Sequence, residues 1–119
     1  MSSKILIVED APDLVQLYKF FLAGSGAEIV VAESCHKALE FLKTEKPQVI
    51  VMDLTLHDMA TEQFYEEFLA IPEIESVDTI LISGREDLPS WADLFGAKTY
   101  FKKPVSRDKL SQAVQTCLV

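Results

Sequence analysis

Residues 49–53 read Val-Ile-Val-Met-Asp, a short apolar run ending at once in a carboxylate and preceded by Pro47. A run of this length rich in Ile and Val reads as a strand. The same shape recurs on both sides of it. Lys4 to Val8 runs into Glu9 and Asp10, Glu28 to Ala32 forms a second run, Thr79 to Ile82 runs into Ser83, and Thr99 to Phe101 runs into Lys102, Lys103 and Pro104.

Segments of helical period separate these runs. Pro12 suits a first helical turn, where its missing N–H is unpaired anyway, and Leu14, Leu17, Tyr18, Phe21 and Leu22 follow on one face, ending near Gly24 and Gly26. Ser34 is a natural N-cap for a helix carrying Ala38, Leu39 and Leu42 inward and stopping before Pro47. A loop holding His57 and Asp58 leads to a helix with Phe64, Phe68 and Leu69 on its buried face, broken near Pro72. A short helix from Leu88 to Phe95 closes at Gly96, and a last one carries Leu110, Ala113, Val114 and Cys117. Strand and helix alternate throughout, without repeat or low-complexity segment. The pattern predicts an α/β domain with an open, doubly wound parallel sheet and helices on both faces.

A length of 119 residues with 49% hydrophobic composition suits one well-buried core, so residues 1–119 are expected to form a single domain. No apolar stretch approaches the roughly 20 residues that span a bilayer, and no signal-peptide pattern opens the chain, so a cytoplasmic location without membrane attachment is expected. A net charge of −8 argues against direct nucleic-acid binding through a basic surface. Cys35 and Cys117 lack metal-like spacing and read as small hydrophobic thiols.

In doubly wound sheets, ligands bind beyond the carboxyl ends of the strands, where the strand order reverses. Those ends carry Glu9, Asp10, Asp53, Ser83 and Lys103. Carboxylate oxygens with a backbone carbonyl and waters are what Mg²⁺ prefers, and Asp10 and Asp53 are its natural direct ligands. A carboxylate attacking phosphorus forms an acyl phosphate, so Asp53 is the candidate nucleophile, with Lys103 offsetting charge on the phosphoryl oxygens. Ser83 would donate to one of those oxygens, and Gly84 would let its backbone N–H approach closely.

These residues, in the pieces I-L-I-V-E-D, V-I-V-M-D-L, I-L-I-S-G and G-A-K-T-Y-F-K-K-P, make the chain resemble the receiver domain of bacterial two-component response regulators from Lys4 almost to its end. The resemblance implies a flavodoxin-like (βα)5 fold of strand order 2-1-3-4-5. It implies phosphoryl transfer to Asp53 from a histidine kinase or phosphotransfer protein, with Mg²⁺ held by Glu9, Asp10, Asp53 and the backbone carbonyl of Thr55. It further implies catalytic roles for Lys103 and Ser83, a cis peptide before Pro104, and Tyr100 as an aromatic switch that turns inward when the Ser83 hydroxyl moves. The output would be contact with a downstream target or effector domain, with dimerisation through the face of helix four, strand five and helix five.

The chain departs from that family's pattern at His57, where Pro is usual, at Thr61, where Gly is usual, and in a shorter stretch from Ser83 to Gly96. His57 and His36 read as solvated histidines, and Lys102 as a solvated charge, since neighbours on a strand point to opposite faces. Trp91 reads as a core residue in preference to a partner-facing one. Two other functions stand beside the leading one. One is a receiver-like adaptor that works through its surface without phosphorylation. The other is a Mg²⁺-dependent phosphatase of the haloacid dehalogenase kind, although that family needs a second Asp at the position of Thr55. On the leading reading the chain is a signalling module and not an enzyme.

Overall fold

The computed structural model describes residues 3–119; residues 1 and 2 of the expected domain lie outside it. Five strands alternate with five helices: β1 (Lys4–Val8), α1 (Pro12–Leu22), β2 (Glu28–Ala32), α2 (Cys35–Thr44), β3 (Val49–Asp53), α3 (Thr61–Leu69), β4 (Asp78–Ser83), α4 (Leu88–Phe95), β5 (Thr99–Lys102) and α5 (Arg107–Leu118). The strands form one parallel sheet in the order β2-β1-β3-β4-β5.

Strand alternation sorts the apolar side chains into two cores. Ile5, Ile7, Val49, Val51, Ile80 and Ile82 pack on one face with Tyr18 and Leu22 of α1 and Leu110 and Val114 of α5. Leu6, Val8, Ile50, Met52 and Leu81 pack on the other with α2, α3 and α4. The chain leaves β1 toward the α1 face and β3 toward the α3 face, so the loops after these neighbouring strands part above the sheet. The crevice they open is the switch point of this topology.

Local chemistry fixes the helix ends. Ser34 Oγ accepts from the Lys37 N–H at 3.0 Å, and Ser106 Oγ does the same for Lys109 at 3.2 Å. Gly96 ends α4 in the left-handed region at φ 67°, which a side chain would strain. Removing the cap in Ser34→Ala is expected to cost about 1 kcal/mol, read as a lower denaturant midpoint at unchanged slope.

Two expectations about helix faces are corrected. Leu17 is 41% exposed and Val15 takes its place in the core, because Val15, Tyr18 and Leu22 follow the 3-4 spacing of a single stripe and Leu17 stands about 100° away from Tyr18. Leu69 is 47% exposed for the same reason, one residue past Phe68. Trp91 is buried between α3 and α4, with its ring 5.8 Å from Tyr65 and 6.1 Å from Phe95. Three strands reach further than the apolar runs indicate: β3 through Asp53, β4 from Asp78 to Ser83, and β5 through Lys102.

Candidate functional site

Because β3 continues through Asp53, its carboxylate is fixed by a ladder position opposite Ile82. Asp53 is 6% exposed and both its oxygens are engaged. Oδ2 accepts from Lys103 Nζ at 2.5 Å, while Oδ1 accepts from the Thr55 N–H at 2.9 Å and the Thr55 hydroxyl at 2.7 Å. Glu9, at the end of β1, is 1% exposed. Its Oε2 accepts from the backbone N–H groups of Asp10 and Ala11, at 3.1 and 3.2 Å, and its Oε1 lies 3.4 Å from Lys103 Nζ. One ammonium thus bridges two carboxylates from two strands.

Lys103 reaches this point because its backbone N–H donates to the Ser83 carbonyl at 3.1 Å, carrying the β4–β5 pairing one residue past the strand. The peptide from Lys103 to Pro104 is cis. Lys102 points away and is exposed. Ser83 is fully buried, and its Oγ accepts from the Arg85 N–H at 3.1 Å, which leaves the hydroxyl proton for another acceptor. Asp10 sits on the exposed rim, and Gly84 is exposed beside Ser83. Tyr100 is 44% exposed on β5, and His57 is exposed on the loop after β3.

The electrostatics follow from burial. Burial pushes the Glu9 carboxyl up, the charge of Asp53 adds to this, and the Ala11 N–H and Lys103 offset it only in part. Burial alone would lower the Lys103 ammonium, but Asp53 and then Glu9 outweigh it and hold it above its usual value. The Cys35 thiol is pushed up to about 12 and Cys117 to about 11, both by burial first, so neither is a thiolate at neutral pH.

The structure therefore brings Glu9, Asp53, Thr55 and Lys103 into direct contact, with Ser83 tied to Lys103 through its backbone. Asp10 stands at the edge. Among the described residues, no three His, Cys, Asp or Glu side chains are arranged to enclose a cation. The donors present are hard oxygens of two clustered carboxylates with a third at an open rim. That set fits a cation that keeps several of its waters.

Two residues at this site were not legible as site residues. Arg85 donates through Nη1 to Thr61 Oγ1 at 2.9 Å and through Nε and Nη2 to the Asp87 carboxylate, both at 2.8 Å. Asp87 in turn accepts from Trp91 Nε1 at 3.1 Å. The one available signal is that Arg85 is the first Lys or Arg after Lys46. The other is Asp58, whose carboxylate lies against the start of α2. A separate groove of about 580 Å³ between β5 and α5, lined by Asp78, Lys98, Phe101 and Cys117 among others, opens at the opposite ends of the strands from the carboxylates.

Comparison with known proteins agrees with this geometry. The family profile described as response regulator receiver domain matches residues 5–115. The chemotaxis protein CheY of Bacillus subtilis is 30% identical over 125 residues, covering 99% of each chain. The chain spans only 26% of the transcriptional regulatory protein GlrR of Escherichia coli, with 28% identity over 96% of its own length. Among solved structures, the signal receiver domain of a Luxo repressor protein from Vibrio parahaemolyticus is 29% identical, with a TM-score of 0.85 over 99% of this chain and 91% of that one. The receiver domain of a sensor histidine kinase from Pseudomonas aeruginosa, described with a magnesium ion coordinated in its active site cleft, shares the fold at 21% identity and a TM-score of 0.83, covering 99% and 98%. A profile that runs from the first strand into the last helix, over a sheet whose switch point gathers Glu9, Asp53 and Lys103, places this chain in the response regulator receiver domain family.

Proposed function

We propose that the chain is the phosphoacceptor receiver of a two-component system and takes a phosphoryl group onto Asp53 from a histidine kinase or phosphotransfer protein. The observation that carries this reading is the Asp53 carboxylate itself, buried at a strand end with Lys103 on one oxygen and Thr55 on the other. A carboxylate oxygen of Asp53 forms the bond to phosphorus as the bond from phosphorus to the donor breaks, and the leaving group keeps that electron pair. Lys103 is already at the carboxylate and offsets charge on the phosphoryl oxygens. The free proton of Ser83 is available to one of those oxygens.

Glu9, Asp10, Asp53 and the Thr55 carbonyl would hold Mg²⁺, which supplies charge neutralisation for the clustered carboxylates and the phosphoryl group. The Thr55 hydroxyl is spent on Asp53, and a threonine offers no carboxyl for the acid–base work of a phosphatase. An adaptor acting through its surface alone has no use for two carboxylates buried against an ammonium. On this reading the chain is a cytoplasmic signalling module and not an enzyme with a separate substrate. Its output surface is formed by α4, β5 and α5, through which it binds a downstream target or a second copy.

Intact mass after incubation with acetyl phosphate tests the acceptor reading. One added phosphoryl group is expected with Mg²⁺ and none in EDTA; no addition in either condition overturns it. Switching is tested with beryllofluoride, a mimic of the aspartyl phosphoryl group. Amide shifts near Tyr100 are expected to move, and Ser83→Ala to blunt the movement. Shifts confined to the loops around Asp10 and Asp53 would locate the output elsewhere.

A further inference from the structure

We infer that Asp58 is a positioning residue for the acceptor loop 54–60, fastening it to the N-terminus of α2 so that Thr55 meets Asp53. The inference rests on the acceptor reading of Asp53. The loop, Leu-Thr-Leu-His-Asp-Met-Ala, contains neither proline nor glycine to set its path, so its course depends on what it is tied to.

The tie is specific. Asp58 Oδ1 accepts from the Cys35 N–H at 3.0 Å, and Oδ2 accepts from the His36 N–H at 3.0 Å and meets His36 Nδ1 at 2.7 Å. The first N–H groups of a helix have no partner within it. Ser34 serves Lys37 of α2, while Asp58, from another loop, serves Cys35 and His36. A carboxylate here also opposes the positive end of the helix dipole. Burial would raise the Asp58 carboxyl, but the two N–H groups and the imidazole outweigh it and bring it down to about 2. The anchor is firm, since Cys35 and Ala38 of α2 are buried in the core.

A second tie closes the far end of the loop. The Thr61 hydroxyl donates to the Leu54 carbonyl at 3.2 Å and accepts from Arg85. Leu56 and Met59 are buried between the ties. Thr55, whose N–H and hydroxyl both hold Asp53 Oδ1, is therefore placed by a segment pinned at Asp53, Asp58 and Thr61. Releasing Asp58 loosens Thr55 without touching Glu9, Asp53 or Lys103.

The test uses the full chain and the variants Asp58→Ala and His36→Ala. Amide hydrogen exchange in EDTA reads the loop, and the rate of phosphorylation by acetyl phosphate at varied Mg²⁺ reads the site. In Asp58→Ala, exchange at residues 54–60 is expected to rise by more than about tenfold, since charge-assisted bonds are lost, while β3 and β4 amides keep their protection. The Mg²⁺ concentration for half-maximal rate is expected to rise severalfold, with the rate at saturating Mg²⁺ close to that of the parent. His36→Ala keeps both backbone bonds and is expected to show the same changes at smaller size. Exchange that rises only in the first turn of α2 would make Asp58 a helix cap and nothing more. A loosened loop with an unchanged Mg²⁺ requirement would equally overturn the inference. Failure of the parent itself to take up a phosphoryl group would instead count against the acceptor reading, and the exchange experiment would still show whether Asp58 holds the loop.

Discussion

Asp53→Asn is expected to lose phosphoryl uptake from acetyl phosphate entirely while remaining folded. A carboxamide oxygen is a poor nucleophile and leaves no acyl phosphate to form. Stability changes little because two effects oppose each other. The substitution removes the charge-assisted bond from Lys103 at 2.5 Å, which costs about 1.5–3 kcal/mol, and also removes one of two close carboxylates whose repulsion the fold sustains. Lys103 keeps Glu9 as a partner, and the Asn carbonyl can still accept from the Thr55 N–H. Intact mass together with a denaturant midpoint checks both halves. A phosphoryl group retained by the variant would move the acceptor to another side chain.

The elements that position Asp53 were legible because their signals are local. The strand cores, the Ser34 cap and the Gly96 stop each follow from a few consecutive residues, and each lies where the sequence put it. The convergence of Glu9, Asp53 and Lys103 was legible at one remove, since parallel strands of a doubly wound sheet all end on one side. What escaped depends on the course of loops. Asp58 meets α2 across 22 and 23 residues of sequence, and no periodicity encodes that meeting. Arg85 looks like an ordinary surface charge until Thr61, Ser83 and Asp87 are seen around it. Leu17 and Leu69 misled for a different reason. Both lie at the edge of an apolar stripe, where composition marks a residue as buried and only the neighbouring helix decides.

Lys103→Ala is expected to separate two functions that one ammonium performs. In the metal-free protein Lys103 is the only cation bonded to Glu9 or Asp53 among the described residues, and both carboxylates are nearly inaccessible to water. Removing the ammonium leaves the charge of two buried carboxylates uncompensated, and because the Lys103 side chain is itself 26% exposed the cost is at or below the lower end of the about 3–5 kcal/mol typical of a fully buried pair. The loss has a definite pH dependence. Glu9 is already raised above its usual value of 4.5 by burial and by Asp53, and without Lys103 it rises further. A carboxyl raised in the folded state binds its proton there at a pH where the unfolded chain has released it. Folding of the variant therefore weakens as pH climbs from about 4 through the raised value, and the gap to the parent narrows below about pH 4. Urea midpoints of both proteins from pH 4 to 8 measure this, and a constant gap would show that Lys103 does not compensate Glu9. A divalent cation supplies the missing charge, so Mg²⁺ is expected to stabilise the variant more than the parent. Phosphorylation is not rescued to the same degree, because among the described residues no other cationic side chain is paired with Asp53, and the Ser83 hydroxyl offers the phosphoryl oxygens only a neutral donor. By analogy with the loss of one oxyanion donor, the rate at saturating Mg²⁺ falls by about 10²–10³. A variant stabilised by Mg²⁺ yet slow to take up the phosphoryl group separates structural charge pairing from transition-state stabilisation at the same nitrogen atom.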